Sequence, residues 1–82
     1  MISLVKESKH AAAKVLERAV AFFGPGGWGL ELIERGECCV RFEGAGGHVY
    51  VTVQDREKGR GSTVEVESRE FEYAAKEFLG KI

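Results

Sequence analysis

From Trp28 to Ser68 apolar and polar residues alternate with a period of two, and this pattern constrains the chain more than any other. Successive strand side chains point to opposite faces, so the pattern predicts an antiparallel sheet with one apolar face. A strand over 28–33 turns Trp28, Leu30 and Leu32 inward, and one over 37–43 turns in Cys38, Val40 and Phe42. Matching their faces pairs Leu32 with Cys38 across a three-residue loop, Glu34-Arg35-Gly36. A third strand over 48–54 turns in Val49, Val51 and Val53. Face parity pairs Phe42 with Val49 and Val40 with Val51, through a two- or four-residue turn within Gly44-Ala45-Gly46-Gly47. The fourth strand, 62–68, turns in Val64 and Val66 after the polar loop 55–61.

Helical periodicity flanks this sheet on both sides. Apolar residues at 4, 5, 12, 15, 16, 19, 22 and 23 fall within one arc and predict a helix over 4–23, with Ser3 as its N-cap and Gly24-Pro25 as its stop. Phe71, Ala74, Ala75, Phe78 and Leu79 predict a second helix over 69–79, capped by Ser68. The expected fold is one α+β domain over residues 1–82, a two-layer α/β sandwich of order α-β-β-β-β-α. Its four-stranded antiparallel meander carries both helices on one face. The expected core comprises Leu30, Leu32, Cys38, Val40, Phe42, Val49, Val51, Val53, Val64 and Val66 of the strands with Leu4, Val15, Leu16, Ala19, Phe22, Phe23, Phe71, Phe78 and Leu79.

An 82-residue chain with 44% apolar and 30% charged residues suits a globular domain near the lower size limit, where self-association often supplements a small core. A net charge of −1 gives no general attraction for nucleic acid or anionic membrane. The N-terminus lacks a signal-peptide pattern and no apolar run is long enough to span a bilayer, so a cytoplasmic location and no membrane partner are expected. The absence of Asn and the single Gln among many Glu, Arg and Lys give a thermophile-like composition.

No constellation of residues specifies a reaction. Cys38 and Cys39 are neighbours on a predicted strand, so their side chains should diverge, with Cys38 in the core and Cys39 on the bare face rather than joined to each other. His10 and His48 have no ligand neighbours at zinc spacing, and the many glutamates fall on an open face. Neither GPGGWG nor GAGG follows a strand and opens a helix, as a phosphate-binding loop does. Catalytic residues, metal ligands and cofactors are therefore expected to be none, and a thiol enzyme or redox protein using Cys39 ranks last.

Surfaces offer more. The bare sheet face is expected to group Ile33, Cys39, Arg41, Tyr50, Thr52, Glu65 and Glu67, with Arg41 stacked beside Tyr50. The leading reading is a non-enzymatic protein–protein interaction module that forms a homo-oligomer, or binds another protein, through this face or a sheet edge. The alternative, less favoured, is a nucleic-acid-binding domain. It would use a helical ridge of Lys6, His10, Lys14 and Arg18 with Arg56, Lys58 and Arg60 of the 55–61 loop. A base-stacking RNA platform is disfavoured, because the bare face sets one Tyr among glutamates.

Overall fold

Residues 4–8, which helical periodicity joins to the first helix, form a strand together with Ile2 and Ser3. In the computed structural model, which describes residues 1–82, the elements are β1 (Ile2–Ser8), α1 (Ala12–Phe23), β2 (Glu31–Arg35), β3 (Cys39–Gly44), β4 (Gly47–Asp55), β5 (Ser62–Arg69) and α2 (Glu72–Gly80). A short 3-10 turn at Glu57–Gly59 lies between β4 and β5. The fold is α+β as expected, but its sheet has five antiparallel strands rather than four, in the order β1-β5-β4-β3-β2.

The reason lies in β5. In the four-stranded meander one side of β5 would stay unpaired, whereas β1 fills it with seven consecutive pairs, from Ile2 opposite Ser68 to Ser8 opposite Ser62. Ile2, Leu4, Lys6 and Ser8 then point toward the helices, and Ser3, Val5 and Glu7 toward the open face. This arrangement also explains why the helical arc has a gap between Val5 and Ala12. Ser3, expected as a helix cap, instead donates to the Glu65 carboxylate at 2.8 Å.

From its start at Ala12, α1 crosses the sheet and delivers the chain to the far edge, where β2 begins the meander back to β5. Its first turn has no local side-chain cap; the Asp55 carboxylate at the end of β4 accepts the Ala12 N–H instead. Gly24 ends α1 as expected but with a negative φ of −75°, in an extended conformation rather than the left-handed one common at helix ends. Helix α2 begins three residues later than expected, and Ser68 does not cap it: its hydroxyl donates to the His48 carbonyl.

Within the meander, β3, β4 and β5 take the expected register, with Val40 opposite Val51, Phe42 opposite Val49 and Val51 opposite Val66. Gly44 pairs with Gly47, leaving Ala45-Gly46 as a two-residue turn with positive φ at both positions, the geometry of a twisted hairpin. The β2–β3 hairpin departs from expectation. Leu32 pairs with Phe42 rather than Cys38, a bulge follows at Ile33, and Glu34 then pairs with Arg41.

A local bond accompanies this shift. Cys38 and Cys39 are joined to each other, contrary to the expectation that they diverge. Two adjacent side chains cannot meet while both residues alternate across a pleated strand, so β3 starts at Cys39 and Cys38 moves into the turn. Cys38 is exposed and leaves the predicted core. Trp28, expected to face inward on the first strand, stands 44% exposed in the loop before β2.

The core lies between the two helices and one sheet face. Val15, Leu16, Ala19 and Phe23 of α1 and Ala74, Ala75, Phe78 and Leu79 of α2 cover the inward residues of β3, β4 and β5. Phe23 is fully buried, with its ring centroid 5.5 Å from Phe42 and 5.2 Å from Phe78. Leu4, Phe22, Leu32 and Phe71 pack at the margin of this cluster.

Candidate interface: the open sheet face and its edges

The face opposite the helices is uncovered, and strand register places its residues in rows. Cys39, Thr52 and Glu65 form one row, continued by Val5 of β1. Arg41, Tyr50 and Glu67 form the next, flanked by Ser3 on one side and Glu34 on the other. Six of the seven residues expected at the interface are thus brought together. Ile33 is not among them: it sits at the bulge in edge strand β2, 46% exposed.

The electrostatics of the face are acidic. Glu7, Glu31, Glu34, Glu43, Glu65 and Glu67 share it with Arg41 and Arg69 as the fixed cations on its strands, and Arg56 reaches Glu7 from the loop after β4. Arg41 does not stack on Tyr50. Its guanidinium turns along its own strand to Glu43 at 3.4 Å, while His48 meets Glu67 at 3.2 Å. Such surface pairs contribute at most about 1 kcal/mol each and mainly hold side chains in place.

The sheet has two free edges. Edge β2 is five residues long, interrupted by its bulge, and carries Glu31, Glu34 and Arg35, features that discourage pairing with another strand. Edge β1 is seven residues long and has no bulge. Both of its charged side chains are occupied: Lys6 bends under the sheet to donate to the Leu79 carbonyl near the end of α2, and Glu7 pairs with Arg56 at 3.3 Å. Val5 remains 65% exposed and Met1 75% exposed beside it. The edge strands expected from a four-stranded meander were 28–33 and 62–68; β5 is an interior strand, and β1 is the edge in its place.

The cations proposed for nucleic acid are dispersed. Lys6 lies on β1 and His10 in the loop before α1, so only Lys14 and Arg18 of the expected ridge are helical, and Lys14 faces Glu17 at 3.8 Å. The 55–61 loop does adjoin the start of α1, through Asp55 to Ala12 and the Ser62 hydroxyl to the His10 carbonyl. Arg56 is taken up by Glu7, which leaves Lys58 and Arg60 exposed on that loop. Burial of the His10 ring, followed by the nearby charges of Arg18, Lys9 and Lys14, holds its pKa below the ordinary 6.5.

Cys39, the candidate thiol, is half-buried and bonded to Cys38, so it presents no thiolate in this state. No three His, Cys, Asp or Glu side chains converge as metal ligands, and no helix is long and apolar enough to cross a membrane. No family model, curated protein sequence or solved structure matches this chain. The edge role of β1 escaped sequence reasoning. The signal was present as the alternation of Ile2, Leu4 and Lys6 with Ser3, Val5 and Glu7, but Leu4 and Val5 also fit the helical arc.

Proposed function

We propose that this protein is a non-enzymatic interaction module that self-associates through the free edge of β1. The observation that carries the reading is that edge itself: seven residues in unbroken register, with unpaired backbone groups outward and both charged side chains tied down. The open face is the weaker candidate for a homodimer. Stacking two copies face to face would set six glutamates against six, with little cationic compensation.

Edge pairing avoids that repulsion. An antiparallel two-fold centred on Val5 sets Val5 against its own copy, Leu4 against Lys6 of the second copy and Ser3 against Glu7 of the second copy. No like charges then lie opposite each other. Centring on Lys6 or Glu7 would place identical charges in direct opposition, and centring on Leu4 would leave Glu7 and Ser8 outside the paired strand, so charge and strand length together favour the Val5 register. Every such pairing keeps the helices of both copies on the same side of a ten-stranded sheet.

Molar mass in solution at two concentrations, by light scattering after size exclusion, tests the reading. The wild-type chain is expected to shift toward twice its 9.0 kDa mass as concentration rises. Val5→Glu should leave a folded monomer, while Tyr50→Asp on the open face should still dimerise. A strictly monomeric wild type up to several hundred micromolar sinks self-association. Loss of the dimer in Tyr50→Asp alone would move the contact to the open face.

A further inference from the structure

Away from the sheet's open face, the two helices leave a groove of about 340 Å³ between them, lined by Arg18, Ala21, Phe22, Phe78, Lys81 and Ile82. Its floor is apolar. Phe22 and Phe78 lie with ring centroids 5.6 Å apart, and the Phe22 ring is only half-buried although it belongs to the core cluster. Its rim is cationic: Lys81 Nζ stands 5.5 Å from the centre of the Phe22 ring, and Arg18 projects from α1.

Neither cation forms an ion pair, although the chain carries more acidic than basic residues. No carboxylate side chain lines the groove, and the main-chain carboxyl of Ile82, whose oxygen accepts from the Ser8 hydroxyl, forms no ion pair with Arg18 or Lys81. Two cations without an ion-pair partner, one of them over an aromatic ring, therefore distinguish this site from the acidic sheet face. A lysine beside an aromatic ring and a guanidinium with its fork of donors both favour a carboxylate, and the floor favours an apolar body.

We infer that this groove binds a small amphiphilic carboxylate, with its acid group between Arg18 and Lys81 and its apolar body against Phe22 and Phe78. The volume sits at the small end of the range of about 300–1,000 Å³ seen for ligand pockets, which selects a medium-chain or single-ring acid over a large lipid. The site lies on the helical layer and is independent of pairing through β1.

Sodium octanoate below its micellar concentration is the probe, and 1-octanol its neutral counterpart, followed by amide chemical shifts of the full chain. Octanoate should bind saturably with a dissociation constant on the order of 1 mM or tighter, as expected for about ten non-hydrogen atoms. Its shifts should be confined to Arg18, Ala21, Phe22, Phe78, Lys81 and Ile82. The double variant Arg18→Glu, Lys81→Glu changes two exposed side chains and should keep the native spectrum while weakening octanoate at least tenfold and octanol little. Octanol binding as tightly as octanoate, unchanged octanoate affinity in the double variant, or shifts that do not saturate or centre elsewhere would each overturn the assignment.

Discussion

Asp55 caps a helix that begins 43 residues before it: its Oδ1 accepts the Ala12 N–H at 2.7 Å. Ala11, the residue in the N-cap position, has no side chain able to accept that bond, so the helix start depends on the end of β4. Asp55→Ala should therefore cost about 1 kcal/mol, lowering the melting temperature by roughly 4–8 °C for a chain of this size. Asp55→Asn keeps an acceptor and should lose less. Thermal denaturation followed by circular dichroism checks both.

Glycine-to-alanine changes should differ in sign with position. Gly61 is buried at φ +91°, and an added Cβ would run into the Ser8 carbonyl where β1 ends beside β5. Gly61→Ala should destabilise by about 1–3 kcal/mol. Gly80 ends α2 with open space around its Cα and no positive φ, so Gly80→Ala should gain about 0.5–1 kcal/mol. Urea midpoints of the two variants should move in opposite directions.

His10 should titrate below 6.5 in the folded protein, because burial and then Arg18, Lys9 and Lys14 disfavour its charged form. The unfolded chain then binds a proton more readily than the folded one. His10 accordingly contributes stability that is present above pH 6.5 and lost as pH falls from there through the folded value. A proton NMR titration of the imidazole should show the lowered midpoint, and His10→Gln should flatten this part of the pH dependence of stability. Added salt should move the midpoint upward by screening the three cations.

The bond between Cys38 and Cys39 makes a chemical prediction. Iodoacetamide should add nothing to the unfolded, unreduced chain and two groups after reduction, read by intact mass. Cys38→Ser should release one reactive thiol at Cys39. Labelling of the unreduced chain at both residues would show that the turn holds free thiols.

Much of the sheet was legible because its information is local. Val40 and Phe42, Val49 to Val53, and Val64 and Val66 each name their own face by alternation, and the glycines around Ala45 mark its hairpin turn, with Gly46 suited to positive φ and Ala45 held there by the two-residue turn. The rows Cys39-Thr52-Glu65 and Arg41-Tyr50-Glu67 are present, but the β2 residues that alternation adds to them, Glu31 in the first and Gly29 in the second, are not: Glu31 pairs with Glu43, and Glu34 meets Arg41. The β2 register was not legible, since alternation anticipates neither the bulge at Ile33 nor the bond between adjacent cysteines that accompanies the departure of Cys38 from the strand. The candidate contact surface was half-legible: the open face could be written out by register, while its stronger neighbour, the β1 edge, could not.

By itself the sequence determined which side of β3, β4 and β5 is buried, and that Val15 to Phe23 and Ala74 to Leu79 supply the apolar stripes that cover it. Only the tertiary structure decided that Ile2–Ser8 is a strand, that Lys6 serves the end of α2, and that Asp55 serves the start of α1. The physical reason is the location of hydrogen-bond partners. A helix bonds to residues four positions away, so its signal is written nearby, whereas β1 finds its partner in β5, some sixty residues along the chain.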